Sequence, residues 1–403
     1  MSNEIIAGVA KTVITPSKAI GTRMGGFGLD RKSEGVHDPL WARAIYLKQG
    51  EEEVVLVAMD LVGLMHNRIE NIRTLVKSVK PQAVIPCSTH CHASPDTIGY
   101  WGPGIAGIMP YKSGMDQEYM AELERRVAET VDKAVNNAQP AKLAFTSYQT
   151  PEHGFNDNIR DKSIIDRSVR MMSVRTCDGE PLALVTSYAC HPEMLWFDNK
   201  QLSADFVGIY NDAIEKSFGG MSLYFSAALG GMVTGDLHWD APKEERWPYI
   251  EWLGRELANL SVENLPDLDD HKTDLPLKHV SSRFSFKAEN WKLKLVQKIG
   301  VVEDREKDGM IETEMNLISL GGARFLSVPG EALPELGRRL QEKISGEPAI
   351  ILGLACDELG YMPPVEYFED KNYKYERSMS MGPKLSAALL EQAQLMAERI
   401  KKE

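Results

Sequence analysis

The hydrophobic pattern of the chain switches repeatedly between two periods. Short apolar runs bounded by turn residues read as strands: Ile5–Ile14, Val54–Met59, Ala83–Pro86, Leu143–Tyr148, Val169–Arg175, Leu182–Tyr188 and Ser222–Phe225. Stretches with apolar residues at helical spacing read as amphipathic helices. Asn67–Val79 is one, carrying Ile69, Ile72, Leu75, Val76 and Val79; Met120–Asn137, Asp205–Phe218 and Glu244–Asn259 are others. Residues 263–275, rich in Asp, Pro and Leu, form a candidate internal linker. Beyond them Lys278–Phe286 reads as a strand, and Met315–Leu320 with Ala323–Val328 as a hairpin around Gly321-Gly322. Leu333–Ile344 reads as a helix, Ala349–Leu354 as a strand and Leu385–Lys402 as a closing helix.

This alternation predicts an α/β fold, a layered α/β/α domain around a mixed β-sheet. The segment from Val54 to Pro86 is a β-α-β unit, expected to be right-handed and to present its ligands at the carboxyl ends of its strands. Residues 93–117 form a long Gly/Pro/aromatic loop, including Gly99-Tyr100-Trp101-Gly102-Pro103-Gly104, of the length used for lids and binding loops. No internal repeat or low-complexity tract interrupts the pattern.

Composition narrows the function classes. The 403 residues are 43% hydrophobic and 26% charged, an ordinary globular balance. A net charge of −12 argues against nucleic acid or an anionic membrane as the main partner. No run approaches the roughly 20 apolar residues of a membrane helix. The opening Met1-Ser2-Asn3-Glu4 lacks the features of a secretory signal, and the five scattered cysteines suggest no disulfide framework, so a cytoplasmic protein is expected.

The candidate chemistry centres on Ser88-Thr89-His90-Cys91-His92-Ala93-Ser94-Pro95-Asp96, directly after a strand. Two histidines at i and i+2 offer the start of a metal site, but zinc needs three or four donors. Three more positions follow apolar strands: His191 in Cys190-His191-Pro192, Glu331 in Pro329-Gly330-Glu331, and Tyr361 in Gly360-Tyr361-Met362. Each has an ordinary structural explanation when taken singly: a buried imidazole, a first-turn glutamate favoured by the helix dipole, a tyrosine packed in a turn.

Taken in order, these motifs resemble the catalytic domain of the neutral/alkaline non-lysosomal ceramidase family. Ala7-Gly8-Val9-Ala10-Lys11-Thr12-Val13-Ile14-Thr15-Pro16, Met24-Gly25-Gly26-Phe27-Gly28 and Gly35-Val36-His37-Asp38-Pro39-Leu40-Trp41 look like its opening signatures. Thr89-His90-Cys91-His92-Ala93-Ser94-Pro95 stands where the family has THTHSGP, and Tyr375-Glu376 matches its YE pair. The resemblance spans 1–403 as one catalytic domain, in a short form without the family's C-terminal β-sandwich. It implies a zinc-dependent hydrolase of an amide, N-acyl or ceramide-like, acting on a small-molecule substrate. His90, His191, Glu331 and Tyr361 would hold one Zn²⁺, with His92 beside it to bind the oxyanion or transfer a proton. Tyr375 would hydrogen-bond the oxyanion, and Arg160, in Asn158-Ile159-Arg160, would bind substrate; a packed tyrosine and a surface arginine are the plain alternatives. Asp60 would buttress the site or cap a helix.

Two departures stand out. Where the family has a serine in a segment like QSNxGDVSPN, this chain has Ser226-Ala227-Ala228-Leu229-Gly230-Gly231, placing Ala227 at the serine and Gly231 at the aspartate. Attack by activated water is therefore expected rather than an acyl-serine. Hydrolysis of an ester or a carbohydrate-linked amide, or a non-catalytic metal- or carbohydrate-binding role, are the rival readings. Asp236, His238 and Asp240 form a further donor-rich cluster read as an exposed loop or a substrate contact. His66 and His153 read as ordinary, and Cys91, facing away from its neighbours, as core packing.

Overall fold

A computed structural model of the protein describes residues 4–402 except Ala106, Ile108 and Trp239. Eight strands build one mixed sheet: β1 (Ile6–Val13), β2 (Trp41–Gln49), β3 (Glu52–Met59), β4 (Val84–Ser88), β5 (Gln139–Gln149), β6 (Ser168–Thr176), β7 (Pro181–Tyr188) and β8 (Met221–Ser226). Their order is β8-β7-β6-β5-β1-β2-β3-β4. The outermost pairs, β7–β8 and β3–β4, are parallel, and the pairs between them are antiparallel. A second sheet contains β9 (Leu277–Phe286), β10 (Ile311–Leu320), β11 (Ala323–Ser327) and β12 (Ala349–Leu352), in that order, with β11–β12 parallel. The helices are α1 (His66–Leu75), α2 (Gln117–Asn136), α3 (Asp205–Phe218), α4 (Lys243–Glu263), α5 (Trp291–Lys298), α6 (Pro334–Ile344), α7 (Lys374–Ser378) and α8 (Pro383–Lys402).

The strands read as continuous apolar runs because both faces of the main sheet are buried. In β3, Val55, Val57 and Met59 pack with Met120, Leu123 and Val127 of α2, while Val54, Leu56 and Ala58 turn to the opposite side. There they meet Ile318, Phe325, Ile350 and Leu352 of the second sheet. The outer face of that sheet carries Met315, Leu317 and Ile351 against Leu336 and Leu340 of α6 and Leu389 and Met396 of α8. The expected mixed sheet is present, and the interior holds two: the layers run helices, sheet, sheet, helices.

Three β-α-β units result: β3-α1-β4, β7-α3-β8 and β11-α6-β12, each with a parallel strand pair. The carboxyl ends of β4, β7 and β11 lead into the segments carrying His90 and His92, His191, and Glu331. Residues 263–275 carry the chain from α4 to β9 along the main sheet, with Thr273 O accepting from Ile5 N and Lys272 bridging to Leu143. No helix among the described residues is long and apolar enough to cross a membrane.

Candidate active site

After β4 the chain is pinned on several sides. Thr89 N donates to Met59 O (2.8 Å), Cys91 N to Leu61 O (3.0 Å) and His92 N to Pro192 O (3.0 Å). Between them His90 takes φ = 66°, in the left-handed region that non-glycine residues seldom occupy. Such a conformation persists where surrounding bonds over-determine it, and it turns the His90 and His92 rings towards one another. Cys91 points away into the core, its Sγ 2.8 Å from Ser203 O.

The imidazoles of His90, His92 and His191 converge, with candidate ligand atoms all within 4.8 Å of one another. His90 Nε2 is 3.1 Å from His92 Nε2 and 3.3 Å from Glu331 Oε2. His191 Nε2 is 3.1 Å from the same Glu331 oxygen. Behind the rings, His90 Nδ1 meets Val62 O at 2.6 Å and His191 Nδ1 meets Val233 O at 2.7 Å. A carbonyl oxygen only accepts, so both Nδ1 atoms carry protons and both Nε2 atoms face inward.

The electrostatics follow from burial and crowding. Burial alone would raise the Glu331 carboxyl, but His90 and then His191 reverse this and hold it at about 2. Burial would lower His191, yet the carboxylates of Glu193 and Glu331 raise it to about 9. Burial, followed by the neighbouring charges of His90, His191 and Arg31, keeps His92 well below the usual imidazole range. A proton and a cation compete for such a cluster.

A cleft opens onto this cluster. Its walls are mostly apolar: Met65, Ile98, Tyr100 and Trp101 on one side, Leu293, Val296 and Val302 on another, and Met379 and Met381 further round. Tyr100 and Trp101 come from the long loop, of which Ala106 and Ile108 lie outside the described residues. That loop is organised by the buried Asp96 carboxylate, which accepts from Ile98 N, Gly99 N and Trp101 N at 2.6–3.1 Å.

The other sequence-derived candidates divide. Tyr361 lines the cleft, and its short strand pairs in parallel with that of Glu331; its hydroxyl contacts Met232 Sδ at 3.9 Å. Tyr375 also lines the cleft, half-exposed, with its ring 5.8 Å from that of Tyr361. Arg160 is not in the cleft wall: its Nε donates to the buried Glu376 carboxylate at 2.6 Å, tying down the segment that carries Tyr375. Asp60 does not buttress the imidazoles, because its carboxylate accepts from Trp41 N (2.8 Å) and pairs with Arg43 (3.3 Å). Main-chain carbonyls support the rings instead. Ser226 donates to Thr89 O (2.7 Å), and Ala227 packs in the core. Asp236, His238 and Asp240 sit on an exposed loop outside the cleft, their neighbour Trp239 lying outside the described residues; His153 is also exposed. His66 is buried against Cys356 O at 3.0 Å.

Two acidic residues escaped the sequence reading. Glu193 is buried, with Oε2 3.2 Å from His92 Nδ1. Glu358 lines the cleft, accepts from Gly360 N (2.9 Å) and leaves its other oxygen buried without a partner. Burial, and then Glu331, push its carboxyl well above the usual range. The nearest sequence signals are their positions, two residues after His191 and three before Tyr361.

The cluster passes a geometric test for a metal. Tetrahedral zinc with bonds of about 2.0–2.1 Å places its donors about 3.3 Å apart. The separations of Glu331 Oε2 from His90 Nε2 and His191 Nε2, 3.3 and 3.1 Å, are near that edge length. Imidazole nitrogens with one carboxylate suit a divalent cation such as Zn²⁺.

A mixed α/β architecture with a histidine–carboxylate cluster at converging strand ends defines the class of this molecule. The fold itself is that of neutral ceramidase. The chain superposes on neutral ceramidase from Pseudomonas aeruginosa with a TM-score of 0.80 and 16% identity, covering 99% of this chain and 75% of that one. A ceramidase complexed with C2 matches with the same TM-score and coverage at 15% identity. No protein-family model matches the chain.

Proposed function

We propose that the protein is a metal-dependent hydrolase that cleaves the amide of an N-acylated small molecule. The observation that carries this reading is the convergence of His90, His191 and Glu331 at one end of an apolar cleft. The ceramidase fold supports it. His90, His191 and Glu331 would hold Zn²⁺, with Tyr361 facing the same cleft. Bound zinc lowers the pKa of water towards about 7 and polarises a carbonyl.

The chain's own residues supply the rest. The cleft excludes water from an acyl chain lying against Met65, Ile98, Trp101 and Val296. The described lining residues include no serine, threonine or cysteine, and Ser226 is committed to Thr89 O, which favours water as the nucleophile. As the C–N bond breaks, the departing amine needs a proton, and Glu358, which lines the cleft with one oxygen unpartnered, is the carboxyl placed to supply one. Tyr375 reaches the substrate from the rim, its segment secured by the Arg160–Glu376 pair.

Purified protein assayed on N-acyl amides of graded chain length tests the reading. About one zinc per chain is expected. His90→Ala and His191→Ala should each lose both metal and turnover. Burial of about 0.8 kcal/mol per methylene sets an upper rise in kcat/KM of about fourfold per added carbon until the cleft is filled. Full turnover by metal-free protein, or a flat chain-length profile, overturns it.

A further inference from the structure

Building on the hydrolase reading, we propose that Asp357 is a positioning residue: with Arg305 as its partner, it holds the strained segment that presents the Glu358 carboxyl to the cleft. The two neighbouring acids are placed in opposite ways. Asp357 is fully buried and both of its oxygens are taken up. Oδ1 accepts from His66 N and Glu358 N, both at 2.9 Å. Oδ2 accepts from Arg305 Nη1 and Nη2 at 3.0 Å each and from Thr313 Oγ1 at 2.8 Å. Glu358 spends one oxygen on Gly360 N and leaves the other buried and open. A buried polar atom without a partner is costly, and in this cleft the departing group of a substrate can fill the place.

The donors to Asp357 come from separate parts of the fold: the first residue of α1, the loop after α5, β10 and Glu358 itself. Met65, at the N-cap of α1, makes no side-chain bond to the helix, so the Asp357 carboxylate supplies the negative charge that a helix N-terminus favours. The segment held in this way is strained. Leu354 at φ = 48° and Cys356 at φ = 63° both occupy the left-handed region that non-glycine residues seldom adopt. Leu354 N donates to Gly330 O (3.2 Å), Ala355 N to Val328 O (3.0 Å) and Cys356 N to Pro86 O (2.8 Å). His66 Nδ1 adds a bond to Cys356 O at 3.0 Å. Strain of this kind persists where the surroundings over-determine it, and it gathers at sites where a side chain must be aimed. Gly63 leaves the room that Glu358 takes: a Cβ there would lie 2.7 Å from Glu358 Cγ.

The test pairs an N-acyl alkylamine with the p-nitrophenyl ester of the same acyl group. Both need attack at the carbonyl. Only the alkylamine must take a proton, which Glu358 gives to the nitrogen as the electron pair of the C–N bond moves onto it; p-nitrophenolate leaves as an anion. Arg305→Lys keeps the charge and loses the paired N–H groups, and Asp357→Asn keeps the shape and loses acceptors. Each should lower the ratio of amide to ester kcat roughly tenfold to a hundredfold, with KM and bound zinc unchanged. Neither should lower amide turnover further in a Glu358→Gln background. Equal losses on both substrates, an unchanged ratio, or additive losses in that background overturn the positioning role. Full amide turnover by Glu358→Gln also overturns it and leaves the hydrolase reading intact. Wild-type protein that cleaves no amide overturns the hydrolase reading and this inference with it. If Asp357→Asn fails to fold, Arg305→Lys and Thr313→Val, which each thin the donors to one oxygen, decide by the same ratio.

Discussion

Gly26 leaves no room for a side chain. A Cβ there would lie 2.4 Å from His92 Cγ, and its φ of 91° is a conformation that other residues resist. Gly26→Ala should therefore displace the His92 ring and strain the turn, costing about 1–3 kcal/mol. The expected outcome is a lowered melting temperature together with weaker zinc binding; a variant with both unchanged refutes the packing argument. The donor residue types were legible in sequence because each follows an apolar strand, and the structure brings His90, His92, Glu331 and Tyr361 to one cleft, with His191 buried behind it against Glu331. Glu193 and Glu358 were not legible, since acidic residues are common and only their burial marks these two. Arg160 and Asp60 read as site residues in sequence, but each has a stronger charged partner, Glu376 or Arg43, that only folding reveals.

Among the elements, α2 shows how local signals agree with packing. Asp116 caps it, accepting from Glu118 N at 2.9 Å and Tyr119 N at 3.2 Å, and Met120, Leu123, Val127 and Val131 form its buried stripe. Asp116→Ala should cost about 1 kcal/mol, read as a shift in the denaturation midpoint with turnover retained. A loss much larger than this would mean that the cap also holds the preceding lid. Neither β2 nor α5 is legible in the sequence. In β2 the apolar pattern is broken by Arg43, which is buried against the carboxylates of Asp60 and Glu215. In α5 just Val296 and Gln297 are buried, too few to mark a helix by periodicity, although α5 forms one wall of the cleft.

The whole molecule buries several carboxyls, and this sets a pH dependence. Burial raises Asp205 to about 7 and Asp60 and Asp96 to about 6 each. An acid whose folded pKa lies above its unfolded value near 4 binds more protons when folded, so its contribution to stability falls as pH rises from about 4 to 7. Asp205→Asn removes this dependence. The difference in melting temperature, variant minus wild type, should thus become more positive over that interval. A difference that stays constant or moves the other way refutes the assignment.

By itself, the sequence determined the alternation of strands and helices, the β-α-β unit from Val54 to Pro86, the hairpin at Gly321-Gly322 and the strand-end positions of the donor residues. These depend on local periodicity and turn chemistry, which short segments carry alone. Only the tertiary structure decided that a second sheet covers the first, because a run buried on both faces does not say what buries it. It also decided which donors share a point: His90 and Glu331 are separated by much of the chain and meet through the packing of three β-α-β units, a long-range outcome that no local pattern encodes.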